Sequence, residues 1–281
     1  MPPLPFPLSK KYENILRHCK STEELRSLAV EISDDVGKNP KDIEALMMLL
    51  IQCYMKLDDI DNAEIEVDKY YRLTNGNVPS ILVIVKAEIN HRKGNTIEAI
   101  DIIRQLLNHN VSLDYGIKVQ ALALLAIYNA ALFYYEEVYN AVKELWYLIN
   151  HEDNINFEDD NLFYSRLSQY ADTLPFVERI MDQLKSYLNG KELLKNKTYS
   201  DVYECVNEYA KGNPLIARVI PYEMVDCDFK ADKYFSLRII ANNVPVEDII
   251  DLETDIYHVI ESKYPDVPVL VDVAGGIDAS H

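Results

Sequence analysis

The chain has 281 residues, 48% of them hydrophobic and 26% charged, which suits a globular protein with one large or two modest cores. Its 46 acidic residues outnumber 28 basic ones, for a formal charge of −18, so most of its surface repels phosphate backbones and anionic membranes. Nucleic acid is therefore excluded as an expected ligand. No segment approaches the ~18 uninterrupted apolar residues of a membrane span, and the start "MPPLPFPLSKK" lacks the charged-then-apolar pattern of a secretory leader. The expected compartment is the cytoplasm.

Cys19, Cys53, Cys205 and Cys227 form no C-x-x-C pair, so neither a zinc site nor a disulfide framework is expected. The proline-rich opening, with Pro2 and Pro5 in a P-x-x-P but no flanking Arg, reads as an extended tail.

In chain order, the first strong signal is Ser21-x-x-Glu24, a capping box that starts a helix running to Gly37 and Pro40. The stretches "LDDIDNAEIEVDKYY", "KGNTIEAIDIIRQLL" and "FYYEEVYNAVKELWY" then repeat one amphipathic pattern. Their anchors Leu28, Ala63, Ala99 and Val138 lie 35, 36 and 39 residues apart. A first helix precedes each later copy, carrying Met47, Leu50, Ile51 and Tyr54, then Val83, Lys86, Ala87 and Asn90, then Leu122, Leu125, Ala126 and Asn129. Asn75-Gly76 and Gly94 supply the turns.

With that period and those small anchors, residues 1–150 resemble the tetratricopeptide repeat family, whose unit is 34 residues long. Trp is missing from its first position, and Ile51 stands where a small residue belongs. A single helix pair cannot bury its apolar face alone, so such units stack. The resemblance implies a groove lined by the first helix of each pair. Its positions fall on Met48, Gln52, Met55 and Lys56, on Ile84, Glu88, His91 and Arg92, and on Gln120 and Ile127. Gln52, Glu88 and Ile127 depart from the Asn pattern with which some members clamp a terminal carboxylate. The mixed Met, Ile and charged lining suits an extended peptide or an amphipathic helix of another protein.

The segment "IYNAALFYYEEVYNAVKELWYLI" is aromatic beyond what one packing face absorbs, with Phe133, Tyr135, Tyr139, Trp146 and Tyr147. It reads as core plus contact with the helices that follow. Next comes the acidic run Glu152, Asp153, Glu158, Asp159 and Asp160, read as a solvated linker because it lacks the alternating ligands and Gly of a calcium loop. Residues 151–195 read as a further helical pair or capping unit, with Pro175 in a first turn and Gly190 as the stop.

From 196 the period changes. A helix stopped by Gly212-Asn213-Pro214 precedes two strands in "LIARVIPYEMVDCDF" and "YFSLRIIAN", then the amphipathic helix "PVEDIIDLETDIYHVIESKY" and the strand "VPVLVDV". This α-β-β-α-β order looks superficially like the cytosolic domain of cation diffusion facilitators. Ile250-Asp251 and Asp272 stand where its metal histidines would be, so the likeness carries no functional weight. "DVAG" matches a nucleotide-switch D-x-x-G, but no G-x-x-x-x-G-K-[ST] loop accompanies it.

The expected fold is thus mainly α: a helical-repeat solenoid over 1–150, a helical pair or cap over 151–195, and a small α/β domain over 196–281. The leading functional expectation is a non-enzymatic adaptor or scaffold that binds another protein in the repeat groove, with no cofactor, no metal and no catalytic residue. The rival is an enzyme or ligand or metal sensor acting through the C-terminal domain, near Asp226, Asp228, Arg238 and Asp272. A self-assembling scaffold, a homo-oligomer joined at the hairpin edge or the aromatic helix, is the third reading.

Overall fold

The computed structural model describes residues 8–109, 113–152, 154–156, 174–225, 233–242 and 244–275, together with Phe163 and Ser165. The chain is mainly α, with a small three-stranded sheet near its C-terminus. Its compact units are Met1–Ile117 and Lys118–His281.

The first unit is built from helices joined by tight turns. They are α1 (Leu8–His18), α2 (Thr22–Val36), α3 (Ile43–Lys56), α4 (Ile60–Leu73), α5 (Ser80–Arg92) and α6 (Thr96–His109). Helix α2 starts as expected: the Ser21 hydroxyl accepts from the Glu24 N–H, and the Glu24 carboxylate accepts from the Ser21 N–H, so orphan amides at the helix start are satisfied. Asn75 and Gly76 both have positive φ in the α4–α5 turn, and Gly94 has φ +87° between α5 and α6.

The small anchors pack as the pattern requires. Ala63 is wholly buried in one core with Met47, Ile51, Val67, Tyr70 and Leu82, while Ala99 and Ile103 are also fully enclosed. A larger residue at Ala63 would separate α3 from α4. A second core joins the first three helices through Tyr12, Leu16, Leu28, Ile32, Leu50 and Cys53.

Helix α1 follows directly on the proline-rich opening and is an element that the sequence patterns did not single out. Apolar residues at Leu8, Tyr12 and Leu16 recur every four positions and place one stripe against α2 and α3. The Tyr12 hydroxyl donates to Asp35 at 2.6 Å, and the Asp42 carboxylate accepts from the Leu8 N–H at 3.0 Å. The P-x-x-P lies outside the described residues, as do most of the acidic run and most of 161–173, where the first helix of the pair expected over 151–195 would fall.

The second unit comprises α7 (Tyr115–Ala131), which begins just before the boundary, then α8 (Tyr135–Asn150), α9 (Leu174–Leu193) and α10 (Lys197–Gly212). They are followed by β1 (Ile216–Val225), β2 (Lys233–Ala241), α11 (Val246–Lys263) and β3 (Val269–Gly275). The division at 117/118 puts the fourth helix pair with the sheet rather than with the first three pairs. Its physical basis is the aromatic helix: Tyr135 stacks on Tyr187 of α9 at 5.2 Å and lies 6.4 Å from Tyr222 of β1.

Strand order is β1-β2-β3, with β1 and β2 antiparallel and β2 and β3 parallel. The final "VPVLVDV" therefore finds its partner in β2. Phe235, Leu237, Ile239 and Ala241 alternate onto one face, buried with Val202 and Val206 of α10 and Leu252, Ile256 and Ile260 of α11. The opposite face carries Ile220, Tyr222, Ser236 and Ile240, all buried.

Gly190 does not stop a helix; α9 continues to Leu193. A Cβ at Gly190 would lie 2.4 Å from the Tyr222 nitrogen and 2.7 Å from the Pro221 carbonyl carbon, so only glycine lets α9 lie directly on the backbone of β1.

Candidate functional site

The residues expected to line a repeat groove are distributed as follows. Gln52, Lys56 and Arg92 are exposed, whereas Met48, Met55, Glu88 and His91 are half-buried. Ile84 is 1% exposed and belongs to the core of the first unit, because its side of α5 faces neighbouring helices. Gln120 and Ile127, both half-buried, belong to the second unit.

Arg92 and Glu88 of this set serve the first unit itself. Arg92 donates to the Met55 carbonyl at 3.3 Å and to Asp58 at 2.9 Å, and it also pairs with Glu88. These bonds tie the end of α5 to the α3–α4 turn, where Asp58 has φ +57°. His91 lies 3.0 Å from the Thr96 hydroxyl, and burial, then the charge of Arg92, lowers its pKa. A neutral imidazole results.

A cleft lies elsewhere, within the second unit. Its volume is about 940 Å³, at the upper end of the ~300–1,000 Å³ usual for ligand sites. Residues Ile216–Pro221 of β1 contribute consecutively to its lining. One wall is α10, with Tyr203, Asn207 and Lys211; the other combines the start of α8 with the end of α9, including Tyr135, Tyr187 and Lys191.

Sequence dictates how these walls are held. Phe133 takes φ +56° at the α7–α8 turn, and its carbonyl accepts from the Arg218 guanidinium at 2.9 Å. The same guanidinium lies over the Tyr134 ring, 4.2 Å from its centre. Tyr187 donates to Glu136 at 2.7 Å, and Lys191 pairs with that carboxylate. These two bonds, Lys191 first, hold Glu136 below the usual carboxylate range. Burial, then the Glu136 bond, pushes the Tyr187 phenol well up. Burial and the neighbouring Tyr222 raise Tyr135 to about 12. Both phenols are therefore neutral at physiological pH, suited to packing and hydrogen bonding rather than nucleophilic attack.

The side chains offered to a ligand are an aromatic wall, the Asn207 amide and the Lys211 ammonium. Among the described residues Lys211 pairs with its exposed neighbour Glu208, a contact worth little in water. Among the described residues, the lining contains no histidine or cysteine.

Compared with protein-family models, with curated proteins and with solved structures, the chain matches none.

Of the rival C-terminal site, Asp226 and Asp228 lie outside the described residues. Arg238 and Asp272 do come together: they are register partners on β2 and β3, joined at 2.7 Å. Arg238 also lies 4.7 Å from the Tyr222 ring centre, so this pair cross-links the sheet beneath α9. Among described residues, no three His, Cys, Asp or Glu side chains gather as metal ligands.

The cleft was missed because its parts come from four distant segments. Only the aromatic run marked one of them. Within that run Tyr135 and Trp146 are core residues, Trp146 stacking on Phe163 at 4.7 Å, while Tyr147 is exposed. The useful signal was Pro221 in a strand otherwise fit for burial, since proline belongs at a sheet edge.

Proposed function

We propose that this protein is a non-enzymatic adaptor that binds a peptide segment of another protein, and that the cleft beside β1 is its principal capture site. The observation that carries this reading is the cleft's composition: an open strand flank between an aromatic wall and a helix presenting Asn207. Aromatic rings supply contact area at little conformational cost, and a side-chain amide matches the donor and acceptor of a peptide bond.

The helix pairs of the first unit fit a tetratricopeptide-like array in this reading and form a second surface. Met48 and Met55 there are half-buried beside the exposed Gln52 and Lys56. The compartment proposed is the cytoplasm. In support, Cys19, Cys53 and Cys205 are free thiols, and no helix among the described residues is long and apolar enough to cross a membrane.

The test is selection of short random peptides on phage against the full chain, followed by affinity measurement with Ala217→Tyr and Asn207→Ala. Ala217 is exposed and lines the cleft, and tyrosine is well tolerated in strands. Selected peptides should bind each variant about tenfold more weakly, equivalent to ~1.4 kcal/mol, with thermal stability retained. Peptides insensitive to both substitutions but lost in Met55→Glu would move the capture site to the first unit. Failure to select any peptide would refute the adaptor reading.

A further inference from the structure

We infer that the cleft binds its peptide by strand addition, the ligand pairing as an extended fourth strand along the outer edge of β1. This inference rests on the adaptor reading above and specifies how the ligand is held.

Strand β1 is an edge strand: the order β1-β2-β3 leaves one of its sides unpaired. Pro221 lies opposite Leu237 and has no N–H, so it suits a position that makes no ladder bond to β2. That parity turns the Pro221 carbonyl outward, together with the N–H and C=O of Val219. The register shift between Ile216 and Arg218 adds Ala217, whose backbone is freed from regular pairing. Among the described residues, no backbone or side-chain group bonds to Val219 or Ala217 on that side.

An unpaired edge normally carries blocking features, such as charges directed into it or a covering helix. Here Gly190 of α9 meets the β1 backbone at Pro221 and Tyr222. The stretch Ile216–Ile220 lines the cleft, with Ala217 exposed and Arg218 half-buried while Ile216, Val219 and Ile220 are buried. At ~3.3 Å per residue it is long enough for an extended segment of about five residues. Tyr203 and Tyr187 stand in the opposite walls to receive side chains that alternate along such a segment, and Asn207 stands in the α10 wall with no bonded partner among the described residues. Backbone pairing would supply affinity, and the aromatic walls a preference for apolar side chains at alternate positions.

Strand addition makes a demand that no other occupancy of the same cleft makes: alternate ligand amides must donate to β1. The experiment is a methyl scan, in which the best phage-selected peptide is synthesised with one backbone N-methyl at each position in turn and titrated against the full chain. Methylation at alternate positions should weaken binding about tenfold per lost hydrogen bond and leave the intervening positions within about twofold. A peptide that still depends on Ala217 and Asn207 but shows no alternation would overturn strand addition while leaving the cleft as the capture site. A selected peptide that ignores both residues would overturn the two together. Concentration-dependent self-association abolished by Ala217→Tyr would identify the added strand as another copy of this chain and overturn the assignment to a foreign peptide.

Discussion

Tyr187 and Glu136, 51 residues apart in sequence, are joined by a 2.7 Å hydrogen bond at the mouth of the cleft. The bond links α9 to α8 directly, and Lys191 one turn further on completes it from the same helix. Removing the hydroxyl in Tyr187→Phe leaves the ring stack on Tyr135 in place and deletes only this bond. The expected cost is about 1–2 kcal/mol, read as a lower urea midpoint with unchanged slope.

The same contact sets an acid limit. Glu136 has its pKa lowered from the ordinary 4.5, so its stabilisation is complete above that value and is lost as pH falls through the depressed one. Because the carboxylate is largely exposed, the effect is small and weakens with salt. Glu136→Gln should therefore be less stable than wild type near neutrality and converge with it in acid. Parallel melting curves across this range check the convergence.

An alkaline limit comes from Tyr12 in the first unit. Burial, then its bond to Asp35, raises its pKa from 10.0 to about 12. A raised folded-state pKa contributes stability that is full below 10.0 and disappears as pH climbs toward 12. Ultraviolet titration of phenolate should show one fewer tyrosine titrating late in Tyr12→Phe, and that variant should lose less stability over this window.

Gly190→Ala tests the helix-to-strand packing. With a Cβ placed 2.4 Å from a backbone nitrogen, neither partner can yield by side-chain rotation alone, so α9 must lift from β1. Although alanine favours helix by about 1 kcal/mol, the clash should dominate and give net destabilisation of about 1–3 kcal/mol. A chemical denaturation curve at or above wild-type stability would contradict the packing described.

Local patterns in the sequence revealed much of this architecture. The Ser21 capping box, the Gly94 and Asn75-Gly76 turns, and the anchors Ala63 and Ala99 are short-range signals that the fold obeys. The α-β-β-α-β order was equally legible, because alternation in 234–241 and the stop at Gly212 are also local. Helix α1 was hidden by the prolines before it, which masked the four-residue recurrence of Leu8, Tyr12 and Leu16. In sequence Gly190 looks like a helix terminator, because the requirement for glycine there comes from β1, more than thirty positions later. The cleft illustrates the same limit, since no periodicity relates Phe133, Tyr187, Asn207 and Arg218.

Hydrogen exchange of the full chain with and without a selected peptide shows whether partner peptides enter the cleft. Peptide capture there slows exchange at the amides of Ala217 and Val219, with accompanying protection at the start of α8. Protection confined to α3 and α5, or no change along β1, would contradict it.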